Sequence, residues 1–137
     1  LLASTLQYQE DISQGELADA SAMLLEAHAI YSIKQFALRA LWAGWDVSGD
    51  DAEASGKDKQ EGFFVEPSYK VLENLGLFVR YSEWDNTAGL PGSEANEYID
   101  AGVNLWLADN VVFKADVSNA QNDSGEDSFN LGVGWSF

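Results

Sequence analysis

The chain has 137 residues, enough for one domain of ordinary size. Acidic residues number 23 against 7 Lys and Arg, so the formal net charge is −16; this excludes nucleic-acid binding, which needs a basic face. Cysteine is absent and His28 is the single histidine, which excludes disulfides, thiolate sites and sites that need two imidazoles. Hydrophobic residues make up 46% of the chain, too many for a disordered protein. No apolar run is long enough for a transmembrane helix.

Apolar residues recur at every second position, the period of a half-buried β-strand, along almost the whole chain. The first strand is predicted at Leu2–Tyr8, and the last alternates Phe129, Leu131, Val133, Trp135 and Phe137 with small or polar residues. Eight strands result, separated by seven links at about residues 10–20, 33–34, 47–60, 72–74, 86–96, 108–110 and 119–127. The fold class is therefore all-β, in a single domain over residues 1–137.

The seven links alternate in length, long then short. The short ones are Lys34-Gln35, Glu73-Asn74 and Asp109-Asn110, whose residues tolerate the positive φ of tight hairpins. A soluble antiparallel sheet also alternates apolar and polar residues, but it rarely has all its long loops at one end. This rhythm is typical of an antiparallel transmembrane β-barrel of a bacterial outer membrane, with short periplasmic turns and long external loops.

Aromatic residues near the short-turn ends of the strands support the same interpretation. Aromatic side chains of β-barrels gather in girdles at the two membrane interfaces. The predicted lipid-facing girdle consists of Tyr31, Phe36, Tyr69, Trp135 and Phe137.

The alternate positions of the strands carry polar and charged residues of both signs. The predicted lumen-lining residues are Glu26, His28, Arg39, Glu66, Lys70, Arg80, Asp100, Asn104, Lys114 and Asp116. In a wide barrel they would line a water-filled channel and set its selectivity for solutes by their charge. In a closed eight-stranded barrel they would form a packed plug of ion pairs. The sequence leaves both possibilities open.

Most of the acidic residues fall in the long links, where Lys57 and Lys59 are the only cations. An acidic external rim concentrates cations and can bind divalent ions that bridge lipopolysaccharide. Asp46, Asp50 and Asp51 form a weak match to a calcium-binding loop, and no other metal site or cofactor is expected. The alternative is that the loop charge serves solubility alone.

Five segments carry a family resemblance: Gly62–Lys70, Gly76–Asn86, Gly102–Trp106, Val111–Asp116 and Phe129–Phe137. Together they resemble the C-terminal part of the phosphate-selective porins O and P of Gram-negative bacteria, over roughly residues 20–137. The resemblance implies a barrel of about sixteen strands in a homotrimer that passes small solutes by diffusion. On that view the chain is the C-terminal half of a pore and begins part-way through a longer protein. The few inward cations do not match the basic ladders of that family, so phosphate selectivity is not carried over.

The sequence thus predicts a non-enzymatic outer-membrane porin in contact with lipids and lipopolysaccharide, for passive diffusion of small solutes. One alternative is a complete eight-stranded barrel with a plugged lumen and a structural or adhesive role. A second is an outer-membrane hydrolase built on His28, which lies two residues from Glu26 on the same strand face; no nucleophile at an informative spacing accompanies it. A third is a soluble acidic β-sandwich that binds sugars.

Overall fold

The computed structural model describes residues 1–10, 20–122 and 125–136. It contains eight strands and one short helix. In chain order these are β1 (Leu2–Gln9), β2 (Ser21–Ile33), β3 (Phe36–Ser48), α1 (Asp50–Ser55), β4 (Lys59–Leu72), β5 (Leu75–Asp85), β6 (Asn96–Ala108), β7 (Val111–Ala120) and β8 (Ser128–Trp135). The prediction of eight strands is confirmed, and the alternation of long and short links matches the sequence interpretation.

The strands belong to one antiparallel sheet whose hydrogen-bonded order, β1 to β8, is the chain order. Leu2 faces Ala29 at one end of the β1–β2 ladder and Gln9 faces Ala22 at the other. In β6–β7, Gly102 faces Asp116. Each strand therefore pairs with its neighbours in sequence, as expected where hairpins are joined by short connections. A barrel of sixteen strands and the single-domain assignment stay predictions.

The long link between β3 and β4 holds the helix α1, which sequence analysis treated as loop. Three of its six residues are Asp50, Asp51 and Glu53 in the first turn, where carboxylates complement the helix dipole. Gly56 ends the helix in the left-handed region at φ 69°, and its backbone N–H is bonded to the Ala52 and Glu53 carbonyls. A helix of six residues is too short to produce a periodic hydrophobic pattern, which explains why the sequence did not reveal it.

The three short turns do not all have the backbone that was predicted. Within the described part of the chain, Lys34 is the one non-glycine residue with positive φ, at 53°. Glu73-Asn74 and Asp109-Asn110 reverse the chain without left-handed residues, as turns of the common type do. The expectation of positive φ in these two turns was wrong.

Contacts divide the chain into two compact units. The first, the loop unit, comprises Leu1–Ala29, Leu41–Phe63 and Glu83–Ala95. The second, the turn unit, comprises Ile30–Ala40, Phe64–Ser82 and Asn96–Phe137. The loop unit contains α1 and a small apolar cluster of Ala22, Val47 and Ala52. The turn unit contains the three short turns and five of the seven cations of the chain: Lys34, Arg39, Lys70, Arg80 and Lys114.

Burial in the strands is inverted relative to a soluble protein. In the described residues the buried hydrophobic side chains are Ala20, Ala22, Val47, Ala52 and Phe78, four of them small. In the turn unit, large apolar side chains at alternate strand positions are exposed instead, among them Tyr31, Val65, Tyr69, Leu77, Val79, Ile99, Val117, Leu131 and Val133. We call this set the apolar face. Soluble monomers rarely expose contiguous apolar surface on this scale.

The described residues include no helix with the length and hydropathy needed to span a membrane.

Candidate functional site

The Glu66 carboxylate of the turn unit accepts hydrogen bonds from two arginine side chains. Its position in β4 alternates with the exposed Val65, so the side chain lies on the opposite face of the strand and is 5% exposed. Arg39 Nη1 donates to Glu66 Oε1 at 2.7 Å. Arg80 donates to Glu66 Oε2 from Nη2 at 2.6 Å and from Nε at 3.0 Å. A buried carboxylate held by two guanidinium groups meets the requirement that a buried charge be paired and hydrogen-bonded.

A second ion pair lies in β7. Lys114 Nζ is 3.3 Å from Asp116 Oδ1, and Asn130 Nδ2 of β8 donates to Asp116 Oδ2 at 3.0 Å. Asp116 is 9% exposed. Residues two apart on a strand share a face, so the Lys114 ammonium and the Asp116 carboxylate form an ion pair along the same strand. We call Arg39, Glu66, Arg80, Lys114 and Asp116 the polar cluster.

Aromatic rings accompany three of the cations. The Arg80 guanidinium lies 4.6 Å from the centroid of Phe64, and Lys114 Nζ lies 4.6 Å from that of Phe78. Lys70 Nζ lies 4.8 Å from the Trp106 ring. Each distance is within the range of a cation–π interaction.

Gly102 makes the close packing around Asp116 possible. A Cβ atom at this position would lie 2.6 Å from Asp116 Cβ and 2.7 Å from Phe78 Cε1, closer than carbon atoms pack. Phe78, which is 4% exposed, occupies the space that a side chain at position 102 would take. Sequence analysis did not single out Gly102 or Phe78 as a pair, since their contact depends on how β5 and β6 are placed.

The remaining predicted lumen residues of the turn unit lie on the same strand face as the polar cluster. Asp100 faces Ser118 across β6–β7 and accepts a hydrogen bond from its hydroxyl. Asn104 faces Lys114 and lines a cavity of about 270 Å³. Other lining residues of that cavity are Lys34, Arg39, Lys70 and Trp106. Lys34, a turn residue, was not among the predicted site residues, because only the folded turn brings it to the cavity.

The predicted pair of Glu26 and His28 is present in the loop unit. His28 Nδ1 lies 3.3 Å from Glu26 Oε1, and both side chains are about one-third exposed. Ala3 and Thr5 of β1 face His28 and Glu26 respectively. The pair is thus assembled as the sequence indicated, and its role as lumen wall or as part of a hydrolase stays a hypothesis.

Four of the five predicted girdle residues are exposed in the structure. Tyr31, Phe36, Tyr69 and Trp135 all leave more than a third of their surface accessible. Phe137 lies outside the described residues. The placement of these rings at a membrane interface stays a prediction.

The weak calcium candidate is not assembled. Asp46 is near the end of β3, whereas Asp50 and Asp51 begin α1. Over residues 1–10, 20–122 and 125–136, no group of three or more His, Cys, Asp or Glu side chains is placed to hold a metal ion. Asp46 therefore belongs to a strand and Asp50 and Asp51 to the first turn of a helix, so the three do not form one continuous calcium-binding loop.

Asp85 has a structural role that the sequence did not reveal. Its Oδ1 accepts hydrogen bonds from the backbone N–H of Thr87, at 2.7 Å, and from the Thr87 hydroxyl, at 3.1 Å. Its Oδ2 accepts one from the Ser93 hydroxyl at 2.5 Å. An Asp that bonds the backbone two residues on is a known turn device, so this carboxylate organises the loop after β5 as well as adding to the acidic rim.

No protein-family model and no curated protein matches the chain. Among solved structures, it is similar to the outer membrane protein Ail of Yersinia pestis, whose backbone was determined in a phospholipid bilayer nanodisc. The TM-score is 0.47 and the sequence identity 14%, over 99% of this chain and 97% of that chain.

Proposed function

We propose that the chain forms a small transmembrane β-barrel of a bacterial outer membrane, with a plugged interior and a structural rather than a transport role. The observation that carries this proposal is Glu66, 5% exposed and bonded to both Arg39 and Arg80. A diffusion channel needs its charged wall residues in water, where they can act on solutes. A carboxylate enclosed by two guanidinium groups instead contributes to a packed interior.

The apolar face supports the membrane part of the proposal. Side chains such as Leu77, Val79 and Leu131 are exposed, whereas Arg80 and Asn130, at alternate positions of the same strands, are hydrogen-bonded to carboxylates. In water this surface would drive association, whereas hydrocarbon accommodates it without cost. In the described residues, strands β2 to β7 have a hydrogen-bonded neighbour on both sides, whereas β1 and β8 are the edges of the sheet. Membrane spanning requires that these two edges also be paired, as they are in a closed barrel.

The proposed orientation places the three short turns in the periplasm and the acidic long loops outside. Outer-membrane barrels follow this rule, and the negative loops would face divalent cations and lipopolysaccharide at the cell surface. Neither catalysis nor a cofactor is part of the proposal.

The porin interpretation is the second candidate, with about sixteen strands and a trimer. The observation in its favour is the cavity of about 270 Å³ among Lys34, Arg39 and Lys70, which leaves space on the polar side of the strands.

Two measurements test the proposal. The protein should require detergent for extraction from membranes, and it should give no stable open channel in a planar lipid bilayer. Solubility without detergent would refute the membrane assignment. Long-lived conductance steps that scale with salt concentration would refute the plugged interior and favour the porin.

A further inference from the structure

The loop unit contains a cleft formed by two adjoining cavities that share Trp42 and Glu61. Their volumes are about 310 and 220 Å³. We call them together the tryptophan cleft. Ligand sites are typically concave, with a large aromatic surface and a few polar groups that fix orientation.

The indole of Trp42 lies flat on the strand. A Cβ atom at Gly44, two residues along β3, would lie 2.9 Å from Trp42 Cη2 and 3.0 Å from Trp42 Cζ2. The absence of a side chain at Gly44 therefore lets the ring rest on the backbone. Trp42 is nevertheless 39% exposed, so one side of the ring is covered by the sheet while indole surface remains open to a ligand.

Met23, Leu25 and Trp45 line the first cavity together with Trp42. The charged groups of the two cavities are mostly carboxylates. Asp46 and Glu61 line the first cavity, and Glu61, Glu83 and Asp85 line the second. Lys59 is the one cation that lines either of these two cavities. Carboxylates accept hydrogen bonds from hydroxyl groups, but they repel phosphate or carboxylate ligands. The charge thus selects against anionic ligands.

We propose that the tryptophan cleft binds a neutral saccharide. The flat indole of Trp42 would stack on the C–H face of a sugar ring, burying apolar surface on a rigid aromatic side chain. The surrounding carboxylates, chiefly Glu61 because it lines both cavities, would accept hydrogen bonds from the ring hydroxyls. This ligand class goes beyond the structural role proposed above and depends only on the loop unit.

Cellotetraose is a suitable probe, since its β-linked glucose units present axial C–H groups on both faces. Tetragalacturonate, which carries a carboxylate on each unit and also differs in its α-linkage and axial C4 hydroxyl, is the anionic comparison. Binding would be followed by tryptophan fluorescence and by calorimetry, with the full chain in a zwitterionic detergent because sugar-based detergents would compete. We expect saturable binding of cellotetraose and at least tenfold weaker binding of tetragalacturonate.

Variants locate the site. Trp42→Ala should weaken cellotetraose binding by about tenfold or more, as for a central aromatic contact, and Trp42→Phe by less. Gly44→Ala should also weaken it, because the new Cβ displaces the indole. The matched control is Trp135→Ala, which removes an exposed tryptophan of the turn unit and should leave binding unchanged.

Three outcomes would overturn the proposal. They are an absence of saturation with cellotetraose, equal affinity for tetragalacturonate, or an unchanged affinity in Trp42→Ala. If Trp42→Ala instead reduces only the fraction of protein inserted into lipid vesicles, Trp42 is a membrane anchor and not part of a site. The binding measurement is independent of conductance, so failure here is distinguishable from failure of the plugged-barrel proposal.

Discussion

The two faces of the strands in the turn unit treat their side chains in opposite ways. On one face Glu66 and Asp116 are buried and paired with cations. On the other, Val79 and Leu131 are accessible although they are apolar. Alternation alone does not distinguish a soluble sheet from a membrane one. What distinguishes them is which face carries the buried residues, and in the turn unit Glu66, Phe78 and Asp116 lie on the polar face.

The largest effect is expected from removing the carboxylate at the centre of the polar cluster. Glu66→Ala removes three charge-assisted hydrogen bonds from Arg39 and Arg80, whose side chains are 47% and 32% exposed, at a cost of about 3–4 kcal/mol in unfolding free energy. Reversible urea unfolding from phospholipid vesicles, followed by tryptophan fluorescence, measures it. Glu73→Ala, in an exposed turn position, is the control and should change stability by less than about 0.5 kcal/mol. Equal effects of the two substitutions would show that the hydrogen bonds of Glu66 with Arg39 and Arg80 contribute nothing to stability.

A charge on the apolar face is the sharpest test of what surrounds it. Val79→Lys should destabilise the vesicle-embedded protein by about 2–4 kcal/mol if the residue contacts hydrocarbon near the midplane. Val79→Leu keeps the face apolar and serves as the control. In a water-exposed sheet the lysine would be nearly neutral, so an unchanged urea midpoint for Val79→Lys would contradict the membrane assignment.

The close packing of Gly102 against Phe78 and Asp116 gives an intermediate effect on stability. Gly102→Ala forces a methyl group against Asp116 and Phe78, which should cost about 1–3 kcal/mol as other overpacked positions do. Gly132→Ala provides the comparison, because nothing lies within 4 Å of a Cβ there. The difference between the two midpoints in the urea experiment is the quantity of interest, and a value of zero would mean that the close packing at Gly102 is absent.

The smallest change in stability is expected from Lys70, which lines the cavity of about 270 Å³. Lys70→Met removes a cation–π contact with Trp106 at an exposed position, worth about 0.5–1 kcal/mol. Trp106 fluorescence should change more clearly than stability, since the ammonium group leaves the ring. An unaltered emission spectrum would argue against the contact. The Lys34→Met variant, in the same cavity, controls for loss of charge.

The sequence predicted the strands because their signal is local. Alternating residues in β2 to β8 define both the strands and their two faces, and the turn residues define where they end. The sequence could not predict the partners of Glu66, because its pairing with Arg39 and Arg80 depends on how three strands are placed and not on residue spacing within one strand. The same holds for Gly102 with Phe78 and for the two cavities that meet at Trp42. Helix α1 was missed because six residues leave too short a pattern.

The short turns carry one more consequence. The carbonyl groups of Gln35, Asn74 and Asn110 accept backbone hydrogen bonds from Lys70, Trp106 and Ser136, at 2.9, 2.9 and 3.0 Å. Each acceptor lies in a short turn, and each donor lies near the end of the next strand that pairs with that hairpin, so each bond joins one hairpin to the strand that follows it in sequence. An extra residue inserted at one of these turns is therefore expected to weaken the attachment of the following strand as well as to change the turn itself.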